Sequence, residues 1–223
     1  IIKDITEGSP CKIVQVFVET PLIWGIHVAE KSTYKELSEL KGQRAAISRF
    51  GSGSHLMAYV NAQKLDWDTA TDLQFEVVKD LDGAVEALTH QKADYFMWEK
   101  FTTKPLVDQR IFRRLGDCPT PWPCFVIAVR DEFISNEKET LQTILKVINS
   151  ITAGFKHIPE IETIISERYH QKNEDVKNWL ALTEWSQQNI QASTVEAVQE
   201  QLLKLDIISK KLPFEQLVAS LED

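Results

Sequence analysis

The stretch "SRFGSGSHLM", residues 48–57, sets three serines and two glycines between an apolar run and a helical pattern. A helix that begins directly after a strand and a Gly/Ser loop presents unpaired backbone N–H groups and a partial positive charge. Such a start holds a carboxylate, sulfonate or phosphate without any lysine. Ser52 and Ser54 would add hydroxyl donors beside the backbone of Gly53 and His55. Serine is equally a preferred N-cap, with Gly51 and Gly53 supplying a tight turn, so cap and binding site both stand at this point. Nucleotide loops fit poorly: GxxxxGK[ST] needs a lysine, and none follows before Lys64, while GxGxxG needs glycine where Leu56 stands. A nucleophile elbow, GxSxG, needs serine where "GSGSH" has Gly53, and His55 is poorly placed as its base.

A second group lies in "KADYFMWEKFTTKPL", residues 92–106, where an apolar strand ends in Trp98 and Glu99. Ligand sites of open α/β sheets lie beyond the carboxyl ends of strands. There Trp98 offers a flat wall and Glu99 an acceptor for an amine or ring N–H. The plainer alternative is a tryptophan sealing the sheet and a glutamate in water. Trp24, with Thr20 and Pro21, and Trp122 inside "CPTPWPC" are further rigid aromatics suited to a ligand wall or to an ordinary core. The five histidines form no HExxH or similar ligand spacing, so no metal and no cofactor is assigned. Cys11, Cys118 and Cys124 are an odd number without CxxC spacing, which indicates neither a disulfide framework nor a zinc site.

These side chains need a scaffold, and 223 residues can bury a real core as one large α/β domain or two small lobes. A net charge of −8 with only the short Arg110, Arg113, Arg114 group argues against a nucleic-acid partner. No apolar run approaches the roughly 20 residues of a membrane span. "KIVQVFV" and "LIWGIHV" read as strands broken at Glu19–Pro21. "STYKELSEL" reads as a short helix capped by Ser32 and stopped at Gly42, followed by "QRAAIS" as a strand and "HLMAYVNAQKL" as a helix with Leu56, Met57 and Val60 on one side. "LQFEVV", "DLDGAVEALTHQK" and "DYFMW" continue as strand, helix and strand, and this alternation predicts a mainly parallel sheet covered by helices. "RIFRRL" and "PCFVIAVR" are two more strands, separated by "GDCPTPWP", whose prolines oppose regular structure. From Ser135 the chain turns helical, with Leu141, Ile144, Leu145, Ile148, Ile151 and Phe155 in one stripe.

Taken together, the segments resemble the type 2 periplasmic-binding-protein superfamily, in its branch of nitrate, sulfonate, taurine and thiamine-pyrimidine ABC transporter substrate-binding proteins. "ELSELKGQRAAISRFGSGSHLMAYVNAQKLDWD" and "ALTHQKADYFMWEKF" carry the likeness, in the expected order, and it extends to a subgroup with a fungal protein of the same fold. The resemblance implies a two-lobed α/β fold: residues 1–31 in lobe 1, 32–122 in lobe 2, and 123–223 returning to lobe 1 with C-terminal helices. It also implies a first lobe incomplete at its N-terminus, with an open sheet edge, because the chain opens on "IIKDITEG", the likeness of that lobe's second helix. Its implied function is to bind a small polar or anionic ligand by hinge closure and pass it to an ABC transporter permease, outside the cytoplasm; a cytoplasmic sensor or a thiamine-pyrimidine synthase are the alternatives. The implied ligand residues are Ser52, Gly53, Ser54 and His55 at the helix start, Trp98 and Glu99 at the strand end, and Thr20, Pro21 and Leu22 where the first lobe's strand reaches the cleft; Trp122, read from the sequence itself, is a further candidate wall. Lys100 stands where the family usually has proline, which leaves the loop after Glu99 without its usual constraint.

Overall fold

The computed structural model describes residues 1–221. The chain divides into two compact units, Leu22–Thr120 and the remainder on either side of it. α1 (Ile2–Thr6) and β1 (Cys11–Val18) open the flanking unit. The Leu22–Thr120 unit then runs β2 (Ile23–Ala29), a 3-10 turn at Leu37–Leu40, β3 (Arg44–Ile47), α2 (Gly53–Lys64), β4 (Gln74–Val77), α3 (Leu81–Thr89), β5 (Tyr95–Glu99), α4 (Lys104–Asp108) and β6 (Phe112–Pro119). β2, grouped with β1 when the sequence is divided at residue 31, belongs to this unit.

Its sheet has the order β4-β3-β5-β2-β6. β3 is parallel to β4 and β5, as the strand–helix alternation predicts, but β2 runs antiparallel to both β5 and β6. The sheet is therefore mixed rather than mainly parallel. Side chains alternate across the sheet with the strand period of two. Ala45, Tyr95, Met97 and Ile26 pack under Met57, Ala58 and Ala62 of α2. Ala46, Phe96 and Phe112 pack under Ala84, Ala87 and Leu88 of α3. The small alanines let both helices lie close to the sheet.

Three local expectations change. β6 continues through Gly116, Asp117, Cys118 and Pro119, because at a sheet edge a terminal proline costs no ladder bond. Ser32 accepts a bond from Tyr34 N–H in a tight turn, while Glu36 and Glu39 form the capping box of the 3-10 turn that stands where a helix was expected. α4 was unforeseen; Pro105 suits its first turn.

The flanking unit resumes with β7 (Phe125–Arg130), α5 (Asp131–Asn136), α6 (Lys138–Gly154), α7 (Ile161–Tyr169), α8 (Asn173–Leu182), α9 (Ala192–Lys204) and α10 (Phe214–Leu217). β1 pairs antiparallel with β7. Its other edge exchanges backbone bonds with Glu184, Ser186 and Gln188. Among the described residues β7 is paired only to β1. Of the apolar stripe on α6, Leu141 and Leu145 are buried against Val14 and Ala219, while Ile144 and Ile151 remain 44% and 58% exposed. No helix among the described residues is long and apolar enough to cross a membrane, and no cluster there could hold a metal ion. Cys11 and Cys118 are free thiols.

Candidate ligand site at the start of α2

β3 ends at the buried Ile47, and residues 48–52 turn the chain into α2. Gly51 takes φ +75°, a left-handed conformation that favours glycine. Ser52 is the N-cap, its Oγ accepting from His55 N–H at 3.3 Å. Ser54 Oγ accepts from Ser48 N–H at 2.9 Å, and lies 3.3 Å from Ser48 Oγ and 3.1 Å from Ser52 Oγ. Three hydroxyls sharing two oxygen–oxygen contacts leave at least one hydroxyl hydrogen for an outside acceptor. His55 Nδ1 accepts from Gly51 N–H at 3.1 Å, so the neutral ring carries its hydrogen on Nε2. Burial pushes the pKa of His55 down and favours that neutral form.

Once these bonds are counted, the Gly53 and Ser54 N–H groups have no acceptor among the described residues. They are two of the orphan donors of a helix N-terminus, and they sit at the positive end of the α2 dipole. Arg49 is exposed in the same turn. Donors arranged in this way are able to cradle an oxygen-bearing anion.

Gly53 also sits tightly against an aromatic ring. A Cβ there would lie 3.1 Å and 3.2 Å from Cη2 and Cζ2 of Trp24, so the indole lies against the helix start. Trp24 meets Trp98 edge to face at 6.2 Å, and Trp98 stacks on Phe96 at 5.3 Å, within the cluster under α3. The ring touching the cradle is therefore Trp24, one strand over from Trp98. The sequence named Trp24 as a rigid aromatic, but its contact with Gly53 depends on β2 lying beside β5.

Both carboxylate oxygens of Glu99 are used by its own loop. Oε1 accepts from Phe101 N–H at 3.0 Å, and Oε2 accepts from the N–H and the hydroxyl of Thr102 at 2.7 Å each. Glu99 thus stabilises the turn into α4, where an acceptor for a ligand amine was expected. The proline-to-lysine departure is also explained: Lys100 N–H donates to Ile23 O at 3.0 Å, and its Nζ pairs with Asp117 at 3.0 Å. Thr20, Pro21 and Trp122 belong to the flanking unit, where Thr20 Oγ1 accepts from Glu184 N–H and Trp122 is half-buried in the loop before β7. The structure gathers Ser52, Gly53, Ser54 and His55 into one turn and places Trp98 and Glu99 at the end of β5 in the same unit.

Comparison with solved structures decides the fold. The chain is similar to the Candida albicans CA3427 gene product, whose structure is described as defining a new family with the generic periplasmic-binding-protein fold. The TM-score is 0.82 at 23% identity, over 95% of this chain and 72% of that one. The chain has the type 2 periplasmic-binding-protein fold. Residues 24–118 of this binding-protein fold match the family model described as Ca3427-like PBP, a span that lies within the Leu22–Thr120 unit. The alkanesulfonate-binding protein SsuA from Xanthomonas axonopodis pv. citri, bound to MOPS, aligns with a TM-score of 0.81 at 15% identity, over 98% of this chain and 77% of SsuA. The desulfurization enzyme DSZB aligns with a TM-score of 0.62 at 10% identity, over 95% of this chain and 77% of the enzyme. No curated protein matches the chain.

Proposed function

We propose that the chain is the substrate-binding component of an ABC-type importer, working outside the cytoplasm with a permease partner and holding a small polar or anionic organic ligand at the start of α2. The observation that carries this reading is the pair of acceptor-free N–H groups at Gly53 and Ser54, beside a serine hydroxyl cluster with a hydrogen to spare. In this reading the anionic end of a sulfonate, nitrate or taurine-like ligand takes those donors, and Trp24 closes the wall beside them. Ser52 acts as cap and site at once, and His55 fixes the turn through Gly51. Trp98 contributes by holding Trp24, and Glu99 by holding its loop. An aminopyrimidine ligand fits less well, since at Glu99 it would share carboxylate oxygens that already accept three bonds from their own loop. The SsuA likeness supports the sulfonate class.

Calorimetric titration of the intact chain with sulfonates, nitrate, taurine and aminopyrimidines tests the proposal. Saturable binding of an anionic member, weakened at least about tenfold by Ser52→Ala with Ser54→Ala, is expected from loss of one or two hydrogen bonds to a charged ligand. No saturable binding by any of them, or full affinity in the double variant, contradicts it. The likeness to the desulfurization enzyme DSZB raises an enzymatic role as a second reading. Against it, the hydroxyls at the α2 start sit with a histidine whose Nδ1 is bound to backbone, not to a carboxylate that would orient it as a base.

A further inference from the structure

Phe50 stands two residues before the N-cap and is 64% exposed, although it is among the bulkiest apolar side chains of its unit. It is not a loose surface ring. Its ring lies 5.2 Å and 81° from His55, and 6.1 Å and 83° from Phe75, T-shaped in both pairs. His55 in turn meets Phe75 at 4.8 Å and Tyr59 at 5.1 Å. The backbone beneath it is pinned by Ser52 N–H to Arg49 O at 3.2 Å, Gly51 N–H to His55 Nδ1 and Ser48 N–H to Ser54 Oγ. A four-ring shelf therefore begins at His55 and ends in an exposed, packed phenyl ring, whose covering by a ligand would remove apolar area from water at little ordering cost in the protein.

We infer that Phe50 is a specificity-determining residue that selects an oxyanion carried on an apolar body over a bare inorganic anion. The inference rests on the reading of the α2 start as the anion cradle: the head group takes Gly53 and Ser54 N–H, and the apolar body lies on Phe50. Sulfate and nitrate engage the cradle alone. A straight alkyl or aryl sulfonate engages both.

The test is calorimetric titration of the intact chain with nitrate, sulfate and straight-chain sulfonates from methanesulfonate to hexanesulfonate. For the unaltered chain, affinity rises about two- to fourfold for each methylene that reaches the ring, from the transfer free energy of a buried methylene. Phe50→Ala flattens that gradient while leaving nitrate within about twofold, and Phe50→Leu restores most of it. The exposure of Phe50 keeps both variants folded, and coincident thermal transitions verify this. A flat series for the unaltered chain, an undiminished gradient in Phe50→Ala, or an equal loss for nitrate and hexanesulfonate overturns the inference while the cradle reading survives. Failure of every anion to bind overturns both.

Discussion

Residues 22–120 bury both faces of a five-stranded sheet, whereas the rest of the described chain arranges its helices around two strands. The contrast is visible in what stays exposed. In the first region the conspicuous large apolar side chains are Phe50 and Val77, and Phe50 adjoins the cradle. In the second they are more numerous and scattered, among them Ile144, Val147 and Ile151 on α6, Ile164 and Tyr169 on α7, and Leu182 on α8. A sheet covered on both faces gives a rigid platform, and rigidity is what a preorganised set of N–H donors needs. The region with the filled core is also the one that the family model matches.

Replacing core side chains is the strongest way to break this comparison. Phe96, fully buried between Trp98 and Phe112, should cost about 4 kcal/mol as Phe96→Ala, while Leu141→Ala on α6, with a thinner shell, should cost about 2 kcal/mol. Chemical denaturation followed by tryptophan fluorescence measures both; equal costs would erase the distinction.

The next effect in size is a pH dependence confined to the filled core. His27 is fully buried on β2, its Nε2 3.0 Å from Thr103 Oγ1, and desolvation lowers its pKa from 6.5 to about 4. The unfolded chain therefore takes up a proton that the folded chain resists, and stability falls as pH drops from about 6.5 towards 4. The full cost is about 3 kcal/mol below that window, and none remains above it. His27→Gln should remove this slope from the pH profile of unfolding; an unchanged slope would place its origin elsewhere. Arg114 and Asp117 face the same site with opposite signs, and the burial effect outweighs both.

Smallest of all should be Ile151→Thr. The side chain is already mostly in water, so stability should move by less than about 0.5 kcal/mol. A loss of 2 kcal/mol would mean that α6 buries this face in solution.

Much of the scaffold was legible because punctuation and periodicity agree. Pro21 separates β1 from β2, Gly42 precedes β3, and the Gly/Ser loop sits at the α2 start with Ser52 as cap. What was not legible depends on long-range neighbours. The direction of β2 follows from which strands it joins, and so does the meeting of Trp24 with Gly53. The bonds to Glu99 were not legible, because nothing local announces that Phe101 and Thr102 turn back onto it. The α6 stripe predicts a helix correctly, yet periodicity alone does not say whether a partner covers all of it.

The central claim is that the Gly53 and Ser54 amides receive the ligand's anionic end. Backbone amide NMR of the intact chain during titration with hexanesulfonate tests this most directly, because it reads those two N–H groups individually. Saturable downfield shifts at Gly53 and Ser54, with smaller changes at Gly51 and His55, are the predicted result. Saturable binding that leaves both amides unmoved, or no saturable change at all, would show that the serine-rich turn is a helix cap and nothing more.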